Sequence, residues 1–518
     1  MHAPACLRPR LHAIRYGIPM GTGIYPSRVR VRVWSLPPVG IPVVFPNYHA
    51  GYRSLFDCTS IKPSVFGLSP KKTITWAKKH ESFKKFGCDI ISAVSWLPYP
   101  TLSFFVADAS AVKEITFKRW KYPKHMEEYE VFKMFGNNLV AIEVKIVPNE
   151  PQQTSLTATN QKTNQFVWNE SCRILSKRFE RFGDRFVCEN VSEFTRLFAL
   201  EVISITGFGV RFEQSKAYGA HKMSFAQALE IIAKDGAFKL ALPSWAMQLT
   251  SRFRRADLAF SELWDYLREL VVQRSSKGVN AEGIPERLDL FSGLLRTNEN
   301  SECSIDYLTQ DEFFGNIFIG FFAGHETTAC TLAFTLILLA RYPEIQEDLH
   351  RHITSILKGQ TAPEYTDRSL FSKTTAVIYE TLRMYPPVTG YPKYANEDTI
   401  LSCATGDFAS TRINVPIPKG SKVIIDVPGL HYNEKYWERP YEWDPSRFER
   451  DWEENAFIPF SLGARACIGR SFFETESTAV ITMLVANYRI ETLDSSKGAS
   501  IPVHSSLTLG DFPQAKFH

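Results

Sequence analysis

Apolar residues recur with a helical period through much of the second half of the chain, and the longest such run lies between Asp311 and Arg341. At 1.5 Å per residue it predicts a helix of roughly 45 Å, long enough to cross a large domain. Thr309 stands where a cap would accept free amides, and Asp311 and Glu312 fall in the positive first turn. Arg341-Tyr342-Pro343 supplies a basic last turn and a helix stop. The run is apolar enough to be considered as a membrane span. Its centre, however, holds Gly324, His325 and Glu326, and an acid at mid-membrane costs about 2.5–3.5 kcal/mol. A buried core helix with a functional polar break is the better reading.

Ahead of this helix the pattern predicts a helix around Ile74–Phe86, strand-like runs at Ile90–Trp96 and Thr101–Val106, and helices at Val191–Gly207 and Ala256–Gln273. Behind it come a helix over Leu370–Met384, a strand-like hairpin over Ile413–Ile425, a Trp- and Pro-rich loop over Tyr432–Phe448, and a last helix from Ile468. Residues 34–46 (WSLPPVGIPVVFP) form an extended, proline-rich lead-in. No internal repeat is visible. The fold class is mainly α with a smaller β region, in one large domain over residues 34–518.

Composition narrows the function classes. Hydrophobic residues make up 44% and charged residues 22%, with 38 Phe, which implies a large apolar interior and excludes a disordered chain. The net charge of +5 is mild and not gathered into a patch, so no nucleic acid is expected as a partner. The nine cysteines are scattered with no C-x-x-C, which argues against a disulfide framework or a zinc site. No acid precedes Asp57, whereas Arg8, Arg10, Arg15, Arg28, Arg30, Arg32 and Arg53 do. That is transit-peptide composition, but Pro4, Pro9, Pro19 and Pro26 would break the amphipathic helix such a peptide needs. Residues 1–33 are therefore read as a disordered or misassigned start.

The chemistry concentrates in Phe460-Ser461-Leu462-Gly463-Ala464-Arg465-Ala466-Cys467-Ile468-Gly469. A cysteine at a helix entrance meets unpaired amides and the positive end of the dipole, both of which favour thiolate, the form that binds metal. Gly463 permits a tight turn, and Gly469 removes a side chain where a flat cofactor would lie close. Arg465 offers planar donors to a carboxylate.

This stretch matches F-x-x-G-x-R-x-C-x-G and so resembles the haem-binding signature of the cytochromes P-450. The resemblance implies the cytochrome P-450 fold, haem b as cofactor, Cys467 as axial ligand of the iron, and Phe460, Gly463, Arg465 and Gly469 about the haem, with Arg465 on a propionate. Three further matches follow the family's order. Ala323-Gly324-His325-Glu326-Thr327-Thr328 resembles the oxygen-binding motif, with Glu326 and Thr327 as proton relay; otherwise, threonines in a helix bond back to their own backbone. Glu380-Thr381-Leu382-Arg383 matches E-x-x-R, and Asp444-Pro445-Ser446-Arg447-Phe448 resembles the loop supplying a second arginine. Glu380, Arg383 and Arg447 would form a buried triad that locks the Cys467 loop. Phe318, Phe322, Ala323 and Val388, the last beside Pro386-Pro387, fall where the family lines its substrate pocket; ordinary core packing is the alternative for each aromatic.

The resemblance runs over roughly residues 34–510, with departures. Gly136-Asn137-Asn138-Leu139-Val140 leads toward a helix that in the family carries W-x-x-x-R against a propionate. Here Ala141–Gln165 has loop composition, and Trp168 is followed four residues later by Cys172. Residues 141–165 are read as an insert replacing that helix, at a loss of about 1.5–3 kcal/mol of haem affinity. No membrane anchor is visible, and the tail after Leu509 looks short of the family's closing hairpin. The resemblance implies a monooxygenase that inserts one atom of O2 into an apolar organic substrate, with electrons from NADPH-cytochrome P-450 reductase. It places the chain at the cytoplasmic face of the endoplasmic reticulum membrane rather than in mitochondria. The alternative is a catalytically impaired, haem-poor paralogue. A haem-thiolate isomerase or dehydratase is disfavoured by Thr327.

Overall fold

The structure, a computed structural model, describes residues 43–44, 78–95, 101–143, 161–183, 185–211, 221–276, 290–299, 308–405, 411–492 and 515–517. The chain divides into Met1–Leu36 and Pro37–His518. The described residues all belong to the second unit. The arginine-rich start and, apart from Val43 and Val44, the proline-rich lead-in lie outside them.

A five-stranded sheet is built from strands far apart in sequence. Its order is β1 (Val43–Val44), β2 (Ile90–Ser95), β3 (Thr101–Val106), β8 (Lys422–Asp426) and β5 (Gly390–Tyr394). β2 and β3 are an antiparallel pair, and β8 joins β3 in parallel with Ser103 opposite Lys422. Helix α1 (Glu81–Phe86) precedes β2 and stops at Gly87, whose φ of 61° closes a left-handed cap. Helix α2 (Ala109–Phe117) follows β3, capped by Asp108, which accepts the Ala111 amide at 2.8 Å. A short helix α3 (Met126–Tyr129) comes next.

Helix α4 (Gln161–Phe182) corrects the reading of 141–165 as loop, because Gln161–Gln165 form its first turns. Thr and Asn are mediocre helix formers, but Asn164, Val167, Trp168 and Ser171 form one buried face, and that packing outweighs local propensity. Trp168 is fully buried and donates Nε1–H to the Pro363 carbonyl at 2.9 Å. Residues 144–160 lie outside the described set.

Helices α5 (Val191–Thr206), α6 (Phe225–Ala241), α7 (Ser251–Ser276) and α8 (Leu290–Glu299) lead to α9 (Gln310–Arg341), 32 residues long. A capping box starts α9: the Glu312 amide donates to Thr309 Oγ1 at 3.2 Å and the Thr309 amide to Glu312 Oε2 at 2.9 Å. By length and composition α9 could cross a membrane, yet most of its side chains are buried in the fold, along α5 and against α11 (Ser372–Met384) and α13 (Arg470–Asn487). Helix α10 (Pro343–Leu357) opens on the proline that ends α9, and α12 (Val427–His431) follows β8.

The expected hairpin over Ile413–Ile425 is not one. β7 (Thr411–Ile417) pairs with β6 (Thr399–Thr405), whereas β8 belongs to the five-stranded sheet. Pro418 and Gly420, at φ 80°, turn the chain from one sheet to the other. The tail also differs from expectation. β10 (Ala515–Phe517) pairs antiparallel with both β4 (Phe186–Cys188) and β9 (Ile490–Thr492), so the end of the chain carries a closing strand.

Candidate functional site

The Cys467 loop is held from within. The Cys467 amide donates to the Phe460 carbonyl at 2.8 Å, and the Ala466 amide to Gly463 at 3.0 Å, closing a 3-10 turn over Gly463–Arg465. Gly463 has φ 68°, and a Cβ there would come within 3.1 Å of the Thr116 carbonyl at the end of α2, so only glycine fits. Phe460 packs on Phe473 of α13, and Tyr391 of β5 donates its hydroxyl to the Ile458 and Pro459 carbonyls at 3.1 and 2.9 Å.

Cys467 stands just before α13. Protein surrounds it on most sides, which pushes its thiol above the ordinary value, while the Gly469 and Arg470 amides and the Arg470 charge oppose the shift. The residue nevertheless keeps accessible surface, unlike the other described cysteines, which are buried. A Cβ on Gly469 would sit 3.8 Å from Sγ; glycine keeps that approach clear. A soft sulfur donor receiving amides suits a metal that displaces its proton.

The buried framework behind the loop brings Glu380, Arg383 and Arg447 together. Arg383 meets Glu380 through two bonds, Nε to Oε2 at 2.7 Å and Nη2 to Oε1 at 2.8 Å, with both side chains fully buried. Arg447 Nε lies 3.3 Å from Glu380 Oε1, which also accepts the Asp444 amide at 3.0 Å. The remaining guanidinium donors reach main chain: Arg383 to the carbonyls of His431 and Glu442, Arg447 to those of Glu438 and Arg439. His431 links this cluster to the loop, because its Nε2 accepts the Ile458 amide at 3.0 Å while Nδ1 faces the Arg383 carbonyl.

A group that sequence reasoning missed lies beside Arg465. Lys124 and Lys393 form an isolated antiparallel bridge and are both buried. Burial, assisted by the Arg465 charge, lowers Lys124 to about 7, and burial lowers Lys393 to about 8. Glu143 is the acid among them: it accepts from Arg465 Nη2 at 3.1 Å and from the Lys124 amide at 3.2 Å. Lys124 Nζ also donates to the Leu139, Val140 and Ile142 carbonyls. Arg465, Lys124 and Lys393 gather here, a basic setting that suits a ligand carrying carboxylates, as haem does with its propionates.

In mid-α9, Ala323 is exposed and Gly324 and Thr327 partly so, although the helix on either side is buried. Thr327 Oγ1 donates to the Ala323 carbonyl at 2.9 Å and Thr328 to Gly324 at 3.1 Å. Both threonines thus satisfy themselves on their own helix. Glu326 is buried with Oε1 3.1 Å from His325 Nε2, and His325 Nδ1 is 2.6 Å from the Phe321 carbonyl. Phe318 and Phe322 are buried in an aromatic cluster: Phe318 stacks on Phe322 and lies 4.5 Å from Phe135, and Phe322 meets Phe132 edge-on. Val388 is half-buried.

Comparison with known proteins points to one family. The family model described as Cytochrome P450 matches residues 63–511. The chain is 38% identical over 452 residues to Cytochrome P450 monooxygenase 124 of Postia placenta, covering 84% of this chain and 86% of that one. It is 26% identical over 456 residues to Cytochrome P450 monooxygenase ORF6 of Penicillium roqueforti, covering 80% and 78% respectively. Cytochrome P450 3A31 of Mesocricetus auratus is 26% identical over 344 residues, 64% of each chain.

Proposed function

Because the chain belongs to the cytochrome P450 family and is a haem-dependent monooxygenase, we propose that Cys467 ligates the iron of a haem b. We further propose that its substrate is an apolar organic molecule and its electron donor an NADPH-cytochrome P-450 reductase. When bound, the haem supplies oxygen activation, which thiolate ligation favours. The observation that carries this reading is the Cys467 loop itself: a cysteine at the entrance of α13 that receives two amides, with Arg465, Lys124 and Lys393 gathered nearby.

The chain's own residues then have distinct tasks. Cys467 holds the metal. Arg465 binds a propionate with Lys393 beside it, while Lys124 is held by main-chain carbonyls, and this basic setting weakens the haem-poor alternative. Glu380, Arg383 and Arg447 brace the loop without touching the reacting atoms. Ala323 and Gly324 leave room over the site. Thr327 holds a proton at Oγ1 that it can turn from the Ala323 carbonyl toward the exposed face of α9, and Glu326 resupplies it. Phe322, Ala323 and Val388 present apolar surface to substrate, with Phe318 supporting from behind.

Two surfaces support the partners. The exposed end of α2, with Lys113, Lys118 and Trp120, adjoins the Cys467 loop and suits an acidic electron donor. From the end of α6 to the start of α7, Leu240, Trp245 and Leu249 are 48%, 70% and 65% exposed, followed by Arg254 and Arg255, the composition of a membrane-interface contact. That supports attachment to the endoplasmic reticulum membrane.

The test is the carbon monoxide difference spectrum of the dithionite-reduced chain. A strongly red-shifted Soret band that Cys467→Ala abolishes is the expected result. A blue-shifted band in the wild type, or a variant that keeps the red-shifted one, would overturn the assignment.

A further inference from the structure

Two cysteines with no part in the haem site meet in the interior. Cys88, between α1 and β2, and Cys403, on β6, place their sulfurs 3.3 Å apart although 315 positions separate them in sequence. Both are buried, at 3% and 0% exposure. They are the junction of two layers: Cys88 leads into the five-stranded sheet, and Cys403 sits in the two-stranded β6–β7 sheet. Next to Cys403, the Ala404 amide donates to Asp108 Oδ2 at 3.2 Å, and Asp108 caps α2, whose far end supports Gly463. The sulfur pair is thus one contact from the helix that buttresses the Cys467 loop.

We propose that Cys88 and Cys403 are a redox-sensitive dithiol that a peroxide converts to a disulfide, locking the β6–β7 sheet to the five-stranded sheet. In the first step the Cys88 sulfur attacks one oxygen of hydrogen peroxide, the O–O bond breaks, and hydroxide leaves and takes up the Cys88 thiol proton as water. Cys88 is then a sulfenic acid. In the second step the Cys403 sulfur attacks the Cys88 sulfur, the S–S bond forms, and water carries off the sulfenic oxygen with the Cys403 proton. The pair loses two electrons and the peroxide gains them.

Either sulfur can donate in this contact, and the charges around the pair favour Cys88 as the attacking one. With Cys403 as donor, its S–H holds Cys88 below the ordinary thiol value, against burial, while the same contact and burial push Cys403 up. The other charges near the pair are Asp89, Asp108 and Lys435; Lys435 favours a charged Cys88, and Asp89 opposes it. Burial restricts the oxidant to a molecule as small as hydrogen peroxide, because larger disulfides cannot reach the sulfurs in the closed fold.

The full purified chain is treated with hydrogen peroxide, its remaining thiols are alkylated under denaturing conditions, and its peptides are mapped with and without dithiothreitol. The expected result is one crosslinked species joining the Cys88 and Cys403 peptides, released by dithiothreitol, with a raised Tm in the oxidised protein. In Cys403→Ser, dimedone added together with the denaturant after the peroxide should give an adduct on Cys88 in place of the crosslink. Recovery of both cysteines fully alkylated, at a dose that consumes free glutathione, would overturn the proposal. So would a crosslink that forms only when peroxide is added to unfolded chain. The wild-type map decides even where the serine variant does not fold.

Discussion

Arg465 and Glu143 are paired at 3.1 Å across 322 positions of sequence, two residues from Cys467. The pair gives Arg465 a partner already, so under the proposed propionate contact haem would have to exchange one carboxylate for another. Arg465→Ala should speed haem loss roughly 10- to 150-fold, corresponding to about 1.5–3 kcal/mol for a charged hydrogen bond. Glu143→Gln should retain haem at least as well as the wild type, because it removes the competitor. Transfer of haem to an apoglobin measures both rates, and faster loss from Glu143→Gln would refute the exchange.

Breaking the triad should unfold the region that carries the loop. Glu380→Gln leaves Arg383 buried without its counter-charge, at about 3–5 kcal/mol. Arg383→Lys keeps the charge but not the fork that meets both Glu380 oxygens and the His431 carbonyl, so it should destabilise too. Urea unfolding followed by far-UV circular dichroism reads both; an Arg383→Lys midpoint equal to wild type would remove the triad from the framework.

His431 makes a prediction about pH. Burial holds it down to about 3, and its two main-chain contacts suit the neutral ring. The unfolded chain takes up a proton near 6.5, the folded one only near 3. Stability from this site is therefore present above about 6.5 and falls as pH drops toward 3, by up to about 1.4 kcal/mol per pH unit. Asp426, raised by burial to about 7, has the opposite sign but is common to wild type and His431→Gln. Between pH 7 and 5 the variant's unfolding free energy should fall less steeply than wild type; equal slopes would show that His431 is charged in the fold.

Thr327→Ala should bind haem normally, yet waste reductant. The readout is product formed per NADPH consumed, with Thr327→Ser restoring much of the coupling. Unchanged coupling in the alanine variant would return Thr327 to a purely helical role.

Replacing Trp245 and Leu249 together by Glu should release the chain from phosphatidylcholine–phosphatidylserine vesicles in a sedimentation assay while leaving the carbon monoxide spectrum intact. Retention on the vesicles would place the contact elsewhere.

What the sequence made legible followed chain distance. The α9 cap, the Cys467 turn and the Glu380–Arg383 pair each fall within ten residues, where spacing fixes geometry. The Arg447 contact was reachable only through resemblance. Lys124 and Lys393 were not legible at all: 269 positions apart, each looks like an ordinary surface lysine until the bridge between them buries both. The Ile413–Ile425 misreading arose because β7 and β8 both alternate correctly, and alternation does not name a partner strand. The first turns of α4 failed for the opposite reason, since a polar surface hid a buried stripe.

The parallel join of β3 to β8 also has a bearing on biosynthesis. Ser103 waits for Lys422, 319 positions downstream. At ribosomal rates of 5–20 residues per second, that edge of β3 stays open for roughly 15–60 s. Phe104 and Phe105 lie on it, an apolar edge of the kind that recruits other strands. A nascent chain stalled before β8 is thus a sticky half-sheet, and chaperone capacity during translation should govern the yield of soluble protein.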